Sequence, residues 1–142
     1  MKEPLSISIN PENAILVIVD VENAFCKPGG WRYSELSAQI MPTVIPAIQG
    51  LAERARNAGI PIVYIQSVRT LKEAEFTVFN DEPHLEIGTW AVEIVEEMKP
   101  QEGDIVVQKF SHDPFYRPDL DWVLQKLVPN PTRCYAVVTG GA

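Results

Sequence analysis

The stretch Ala14-Ile-Leu-Val-Ile-Val-Asp-Val-Glu-Asn-Ala-Phe-Cys-Lys-Pro-Gly-Gly30 decides the fold. Ala14 to Val19 is apolar without alternation and rich in β-branched side chains. A strand with one face in water would alternate polar with apolar residues. An unbroken short run therefore reads as a central parallel strand with helices on both faces. The run stops at Asp20, and Pro28, Gly29 and Gly30 mark the loop that follows.

Downstream, Val44, Ile45, Ile48, Leu51, Ala52 and Ala55 repeat at helical spacing, and Gly59 and Pro61 close that helix. Ile60 to Gln66 reads as a second strand. Leu71 to Gly88 is polar, acidic and irregular, which predicts a surface excursion. Trp90, Ile94 and Met98 would share one helix face before Pro100 and Gly103 break the chain. Asp104 to Lys109 reads as a third strand. Pro118 suits the first turn of another helix, whose stripe is Leu120, Val123, Leu124 and Leu127, with Pro129 and Pro131 ending it. Cys134 to Val138 is the fourth strand and runs into Thr139-Gly140-Gly141-Ala142. Strands alternating with helices call for an α/β architecture, a central parallel sheet joined by right-handed crossovers. No linker or repeat interrupts the pattern, so residues 1–142 are expected to form a single domain.

Composition narrows the function. Nineteen acidic residues against twelve basic ones give a net charge of −7, which argues against a nucleic-acid groove or a membrane-surface patch. The longest early apolar run is too short for a signal sequence or a membrane span. Cys26 and Cys134 make a poor disulfide framework, which points to the cytoplasm. Neither cysteine belongs to a CxxC pair, and His84 and His112 are far apart in sequence, so no metal site is expected from spacing.

In parallel sheets ligands bind beyond the carboxyl ends of the strands. Those ends hold Asp20, Gln66 to Arg69, Lys109 and Thr139 to Ala142. A carboxylate at a strand tip, partly withdrawn from water, can serve as a general base; a capping or turn aspartate would look the same. Lys109 can face the same crevice and steady an anion or oxyanion, or simply be solvated.

At this point the sequence resembles a known family. Residues 14–30 resemble the opening of isochorismatase-like hydrolases, an apolar strand, then D-x-Q-N-D-F, then a loop with P-G-G. IGTWAVEIVEEMKPQEGDIVVQKFSHDPFYRPDLDWVL, residues 87–124, resembles the family's middle section. CYAVVTGGA, residues 134–142, is similar to the strand that leads to its nucleophile turn. The resemblance implies a three-layer α/β/α, Rossmann-like fold whose last strands and helices lie beyond this sequence. It implies an Asp–Lys–Cys triad in which Asp20 and Lys109 supply the first two members. The family cysteine falls a few residues past Gly140, and this sequence stops at Ala142. Cys134, at the amino end of its strand, reads as a packed thiol, and Cys26 as a loop thiol that would line the pocket without being the nucleophile.

The resemblance further implies covalent cysteine hydrolysis of a C–N bond in a small amide or carbamoyl substrate, without a cofactor. Asn23, Phe25 and Phe115 would line the pocket, although packing or loop structure explains each of them as well. His112 would reach the site or remain a solvated loop residue. Family members commonly associate as dimers or tetramers, so a homo-oligomer is expected. Glu22 stands where glutamine is usual, Ala24 where an acidic residue is usual, and Pro118 where threonine is common. Gln66-Ser67-Val68-Arg69 lacks the Asp-x-His ligand pair of the nicotinamidase branch. Two rival readings remain. VVTGGA also resembles the glycine-rich turn of short-chain dehydrogenases, though that turn follows the first strand and here it follows the fourth. The chain could instead be an inactive fragment or a binding subunit, since an interior fourth strand would leave an apolar edge.

Overall fold

The computed structural model describes residues 8–70, 84–127 and 134–141. Four strands, β1 (Ala14–Val19), β2 (Ile62–Ser67), β3 (Ile105–Lys109) and β4 (Tyr135–Gly140), form one parallel sheet in the order β3-β2-β1-β4. The helices are α1 (Asn23–Cys26), a single turn, α2 (Glu35–Asn57) and α3 (Asp119–Leu127). The expected three-layer parallel architecture is what the chain adopts.

The pleat sorts the apolar run of β1 onto two faces, as its lack of alternation required. Leu16 and Ile18, with Ile62 and Tyr64 of β2, pack against Met41, Ile45, Ile48, Ala52 and Ala55 of α2. Ile15 and Val17, with Val63, Ile65 and Val107, pack against Leu120 of α3, flanked by Val123, Leu124 and Leu127. Each aliphatic side chain withdrawn from water contributes about 1.5–3 kcal/mol. The two layers therefore hold the sheet between helices from both sides.

Helix α2 begins at Glu35, well before Val44, where its periodicity first shows. Ser34 caps it: its hydroxyl accepts from the Ser37 N–H at 3.2 Å, and Ser37 Oγ accepts from the Ser34 N–H at 3.1 Å. Pro42 and Pro46 lie inside the helix, each removing a backbone donor at about 3 kcal/mol. The buried stripe from Met41 to Ala55 offsets that cost.

The segment Trp90 to Met98 is not the helix its spacing predicted. It forms two 3-10 turns, Trp90–Val92 and Glu96–Met98, on either side of an isolated antiparallel bridge between Ile94 and Glu22. The Val95 N–H donates to the Val21 carbonyl and the Asn23 N–H to the Glu93 carbonyl. Backbone groups engaged with the β1–α1 connection are not available for a helical ladder. Of the predicted surface excursion, residues 71–83 lie outside the described residues, as do Pro129 and Pro131. Among the described residues no helix is long and apolar enough to cross a membrane.

Candidate active site

Strand order determines which side chains meet at the carboxyl edge of the sheet. β3 ends in Lys109, β2 in Ser67, and Asp20 directly follows β1. Ser67 and Lys109 are register partners. Asp20 has φ 56°, in the left-handed region that aspartate tolerates better than most residues. Its N–H still donates to the Ile65 carbonyl at 3.0 Å, but the turn aims its side chain across the strand tips. There Ser67 Oγ donates to Asp20 Oδ1 at 2.8 Å, and Lys109 Nζ donates to Oδ2 at 2.9 Å. Both charged residues are buried. Such a pair is charge-assisted, and removing either partner would leave the other charge buried and uncompensated.

Glu22, where the resemblance implies glutamine, lies directly behind this pair. It is fully buried, at 0% exposure. Its Oε1 accepts from the Ser67 N–H at 2.5 Å, while its Oε2 has no hydrogen-bond partner among the described residues. Burial pushes its carboxyl up to about 9, against the opposing effect of the Ser67 N–H and with the Asp20 charge adding to the rise. Glu22 is therefore a neutral acid at pH 7.

A cavity of about 530 Å³ opens over Asp20, Ser67 and Lys109. Phe25, Trp31, Arg32, Leu36, Arg69 and His84 form much of its wall. Trp31 stacks on His84 with centroids 3.6 Å apart and meets Phe25 edge-on at 6.3 Å. Arg32 lies over the Trp31 ring at 4.4 Å. Among the described lining residues the fixed charges are Arg32, Arg69 and Lys109 against Asp20 alone.

The sheet thus joins Asp20 and Lys109, 89 positions apart in sequence, and places Phe25 on the same cavity. Asn23 and Phe115 are elsewhere. The Asn23 side chain is buried, and its Nδ2 donates to the Trp90 carbonyl at 2.9 Å. Phe115 is 55% exposed and outside the lining. Cys26, expected on the pocket wall, turns into the α2-side core instead, with Sγ 4.0 Å from the Asp20 carbonyl oxygen. Burial pushes its thiol up to about 11, which suppresses thiolate formation. Cys134 packs against the α3-side core, as its position before β4 implied. His112 reaches the cavity rim. Among the described residues, then, neither cysteine lines the cavity onto which the Asp20 carboxylate opens. Sequence reading did not single out Ser67, Trp31, Arg32 or Arg69. The only available signal was the placement of Gln66 to Arg69 at a strand end.

The carboxyl end of β4 comes hard against β1. The Gly141 N–H donates to the Val19 carbonyl at 3.1 Å. A Cβ on Gly140 would lie 2.3 Å from the Val19 carbonyl oxygen. Gly140 is thus explained by close approach to β1, while a Cβ on Gly141 would meet Cys26 Sγ at 2.7 Å and the Asp20 carbonyl oxygen at 3.0 Å; Gly141 lines the cavity beside Asp20.

The family model for the isochorismatase domain matches residues 14–140. The chain belongs to the isochorismatase family. Ureidoacrylate amidohydrolase RutB from Caulobacter segnis is 29% identical over 142 aligned residues, covering 86% of this chain and 59% of the relative. A cysteine hydrolase from Pseudomonas syringae pv. phaseolicola has a similar structure, with a TM-score of 0.78 and 26% identity over 100% of this chain and 66% of that one. An isochorismatase-like hydrolase from Alkaliphilus metalliredigens gives a TM-score of 0.73 at 27% identity, covering 90% of this chain and 66% of its own. The chain therefore spans about three-fifths of the length of the curated relative and about two-thirds of these structures.

Proposed function

We propose that residues 14–141 form the aspartate–lysine part of a cysteine hydrolase that cleaves the C–N bond of a small amide or carbamoyl compound. The nucleophilic thiol, in this reading, is carried on the turn that follows β4. One observation carries the proposal: the buried Asp20–Lys109 pair faces a cavity at the point where the end of β4 touches β1. The amidohydrolase and cysteine hydrolase relatives support it.

The chemistry follows from the geometry. Asp20 takes the thiol proton, and Lys109, holding the other carboxylate oxygen, orients Asp20 and favours the thiolate. The sulfur attacks the amide carbon, and backbone N–H groups of the turn hold the oxyanion. The C–N bond breaks as Asp20 returns its proton to the departing nitrogen. Water then gives a proton to Asp20 and attacks the acyl-thioester carbon; the C–S bond breaks and the sulfur recovers that proton. Arg32 on the wall favours a substrate that also carries a negative charge. The same reading expects a cytoplasmic homo-oligomer of single-domain subunits.

Hydrolysis of small amides should therefore be abolished by thiol alkylation and lowered about 10²–10⁴-fold by Asp20→Asn or Lys109→Met. An amidase activity indifferent to alkylation or to Asp20→Asn would sink the proposal. A purified protein with no accessible thiol and no hydrolysis would favour a binding role for the cavity.

A further inference from the structure

We propose that Glu22 is a positioning residue for Asp20, acting through Ser67 as a side-chain continuation of the β1 ladder. In a parallel pair, one residue donates to and accepts from two residues of its neighbour. The Asp20 N–H donates to the Ile65 carbonyl, so regular continuation would pair the Ser67 N–H with the Asp20 carbonyl. Asp20, at φ 56°, turns that carbonyl out of the ladder, toward the Cys26 Sγ. The Ser67 N–H meets Glu22 Oε1 at 2.5 Å instead. Ser67 is thereby fixed with its hydroxyl donating to Asp20 Oδ1 at 2.8 Å, while Lys109 holds Oδ2 at 2.9 Å. Among the described residues each carboxylate oxygen of Asp20 has one donor, Ser67 of β2 on one and Lys109 of β3 on the other. Without Glu22 the Ser67 N–H would be buried and unpaired, and one of the two donors would lose its anchor.

Charge is part of the device. The groups that act on Glu22 electrostatically are Asp20 after β1, Lys109 of β3, Arg69 after β2 and, from α1, Cys26. As a neutral acid, Glu22 has nearly the shape of the glutamine that the family resemblance implies at this position. It also leaves the Lys109 charge to Asp20. An ionised Glu22 would compete with Asp20 for that lysine.

The placement of Asp20 stands apart from the proposed function, which enters only if the effect on turnover is asked. Nuclear magnetic resonance can therefore test it without substrate. The readouts at neutral pH are the Asp20 side-chain carboxyl ¹³C shift and the hydrogen-exchange protection of the Ser67 amide. Glu22→Gln should reproduce the wild type in both. Glu22→Leu should lose the Ser67 protection about tenfold or more and move the Asp20 signal, and Ser67→Ala should move the Asp20 signal in the same direction. If Glu22→Leu does not fold, Ser67→Ala against Glu22→Gln still decides. An Asp20 signal unchanged in Ser67→Ala, or displaced as far by Glu22→Gln as by Ser67→Ala, would overturn the inference. Should the protein also hydrolyse an amide, Glu22→Gln should retain kcat and Ser67→Ala should lower kcat more than it raises KM. A protein that hydrolyses nothing would count against the proposed function and leave the resonance result standing.

Discussion

Replacing Glu22 by glutamine should change how stability depends on pH, with a sign set chiefly by burial. In the unfolded chain this carboxyl loses its proton near an ordinary 4.5, and in the folded protein only near 9. Between those values the native state binds one more proton than the unfolded state. Stability therefore falls as pH rises through that window. A full proton difference gives a slope of about 1.4 kcal/mol per pH unit. From about pH 5.5 to about pH 8 the wild type should lose about 3 kcal/mol through this one group. Glu22→Gln keeps the acceptor for the Ser67 N–H and removes the titration. Urea denaturation of both proteins across that range isolates the effect, because the contributions of other titrating groups cancel in the difference. The stability of the variant relative to wild type should grow with pH by about that amount. A difference that stays flat across the range would mean that Glu22 is ionised in the folded protein, and the argument from burial would fail.

Three further outcomes follow from other parts of the molecule. Gly140→Ala places a methyl group 2.3 Å from the Val19 carbonyl oxygen, so it should cost about 2 kcal/mol or more in thermal or urea unfolding. Arg56 holds Asp104 through Nη2–Oδ2 at 2.5 Å and Nε–Oδ1 at 3.4 Å, with the Asp104 side chain almost fully buried. Either alanine variant should lose about 1–3 kcal/mol, and a double-mutant cycle should show coupling above about 0.5 kcal/mol. Cys26, buried and with its thiol pushed up to about 11, should resist iodoacetamide at pH 8 in the folded protein and react on addition of denaturant. Peptide mapping of the alkylated site checks this, and rapid native labelling at Cys26 would refute it.

The parts of this molecule legible from sequence were those set by local pattern. Ala14 to Val19 lacks alternation because both of its faces are covered, and Leu120, Val123, Leu124 and Leu127 mark α3 because only one of its faces is. Asp20 and Lys109 were legible because strand ends can be found from such runs, and the family motifs fixed on the same positions. The first turns of α2 were obscured by Pro42 and Pro46, whose helix-breaking tendency is overcome by a buried stripe visible only once the sheet is present. Trp90, Ile94 and Met98 kept helical spacing, yet their segment spends its hydrogen bonds on Val21 and Asn23, a tertiary demand that no local pattern records. The same holds for Ser67 and Glu22. Their connection depends on the left-handed turn at Asp20, which brings together groups 45 positions apart. Phe25 lies on the cavity and Asn23 does not, because one turn of helix from Asn23 to Cys26 sends neighbouring side chains in different directions.

The cavity has a floor and walls of different origin. Asp20, Ser67 and Lys109 sit at strand tips, locked to one another by the sheet register. Trp31, Arg32 and His84 come from the stretches between strands. Changes in those stretches can reshape what enters while the sheet register holds the three tips together. Under the proposed function, a lineage built this way can shift its choice of substrate in small steps, each leaving the buried Asp20–Lys109 pair intact.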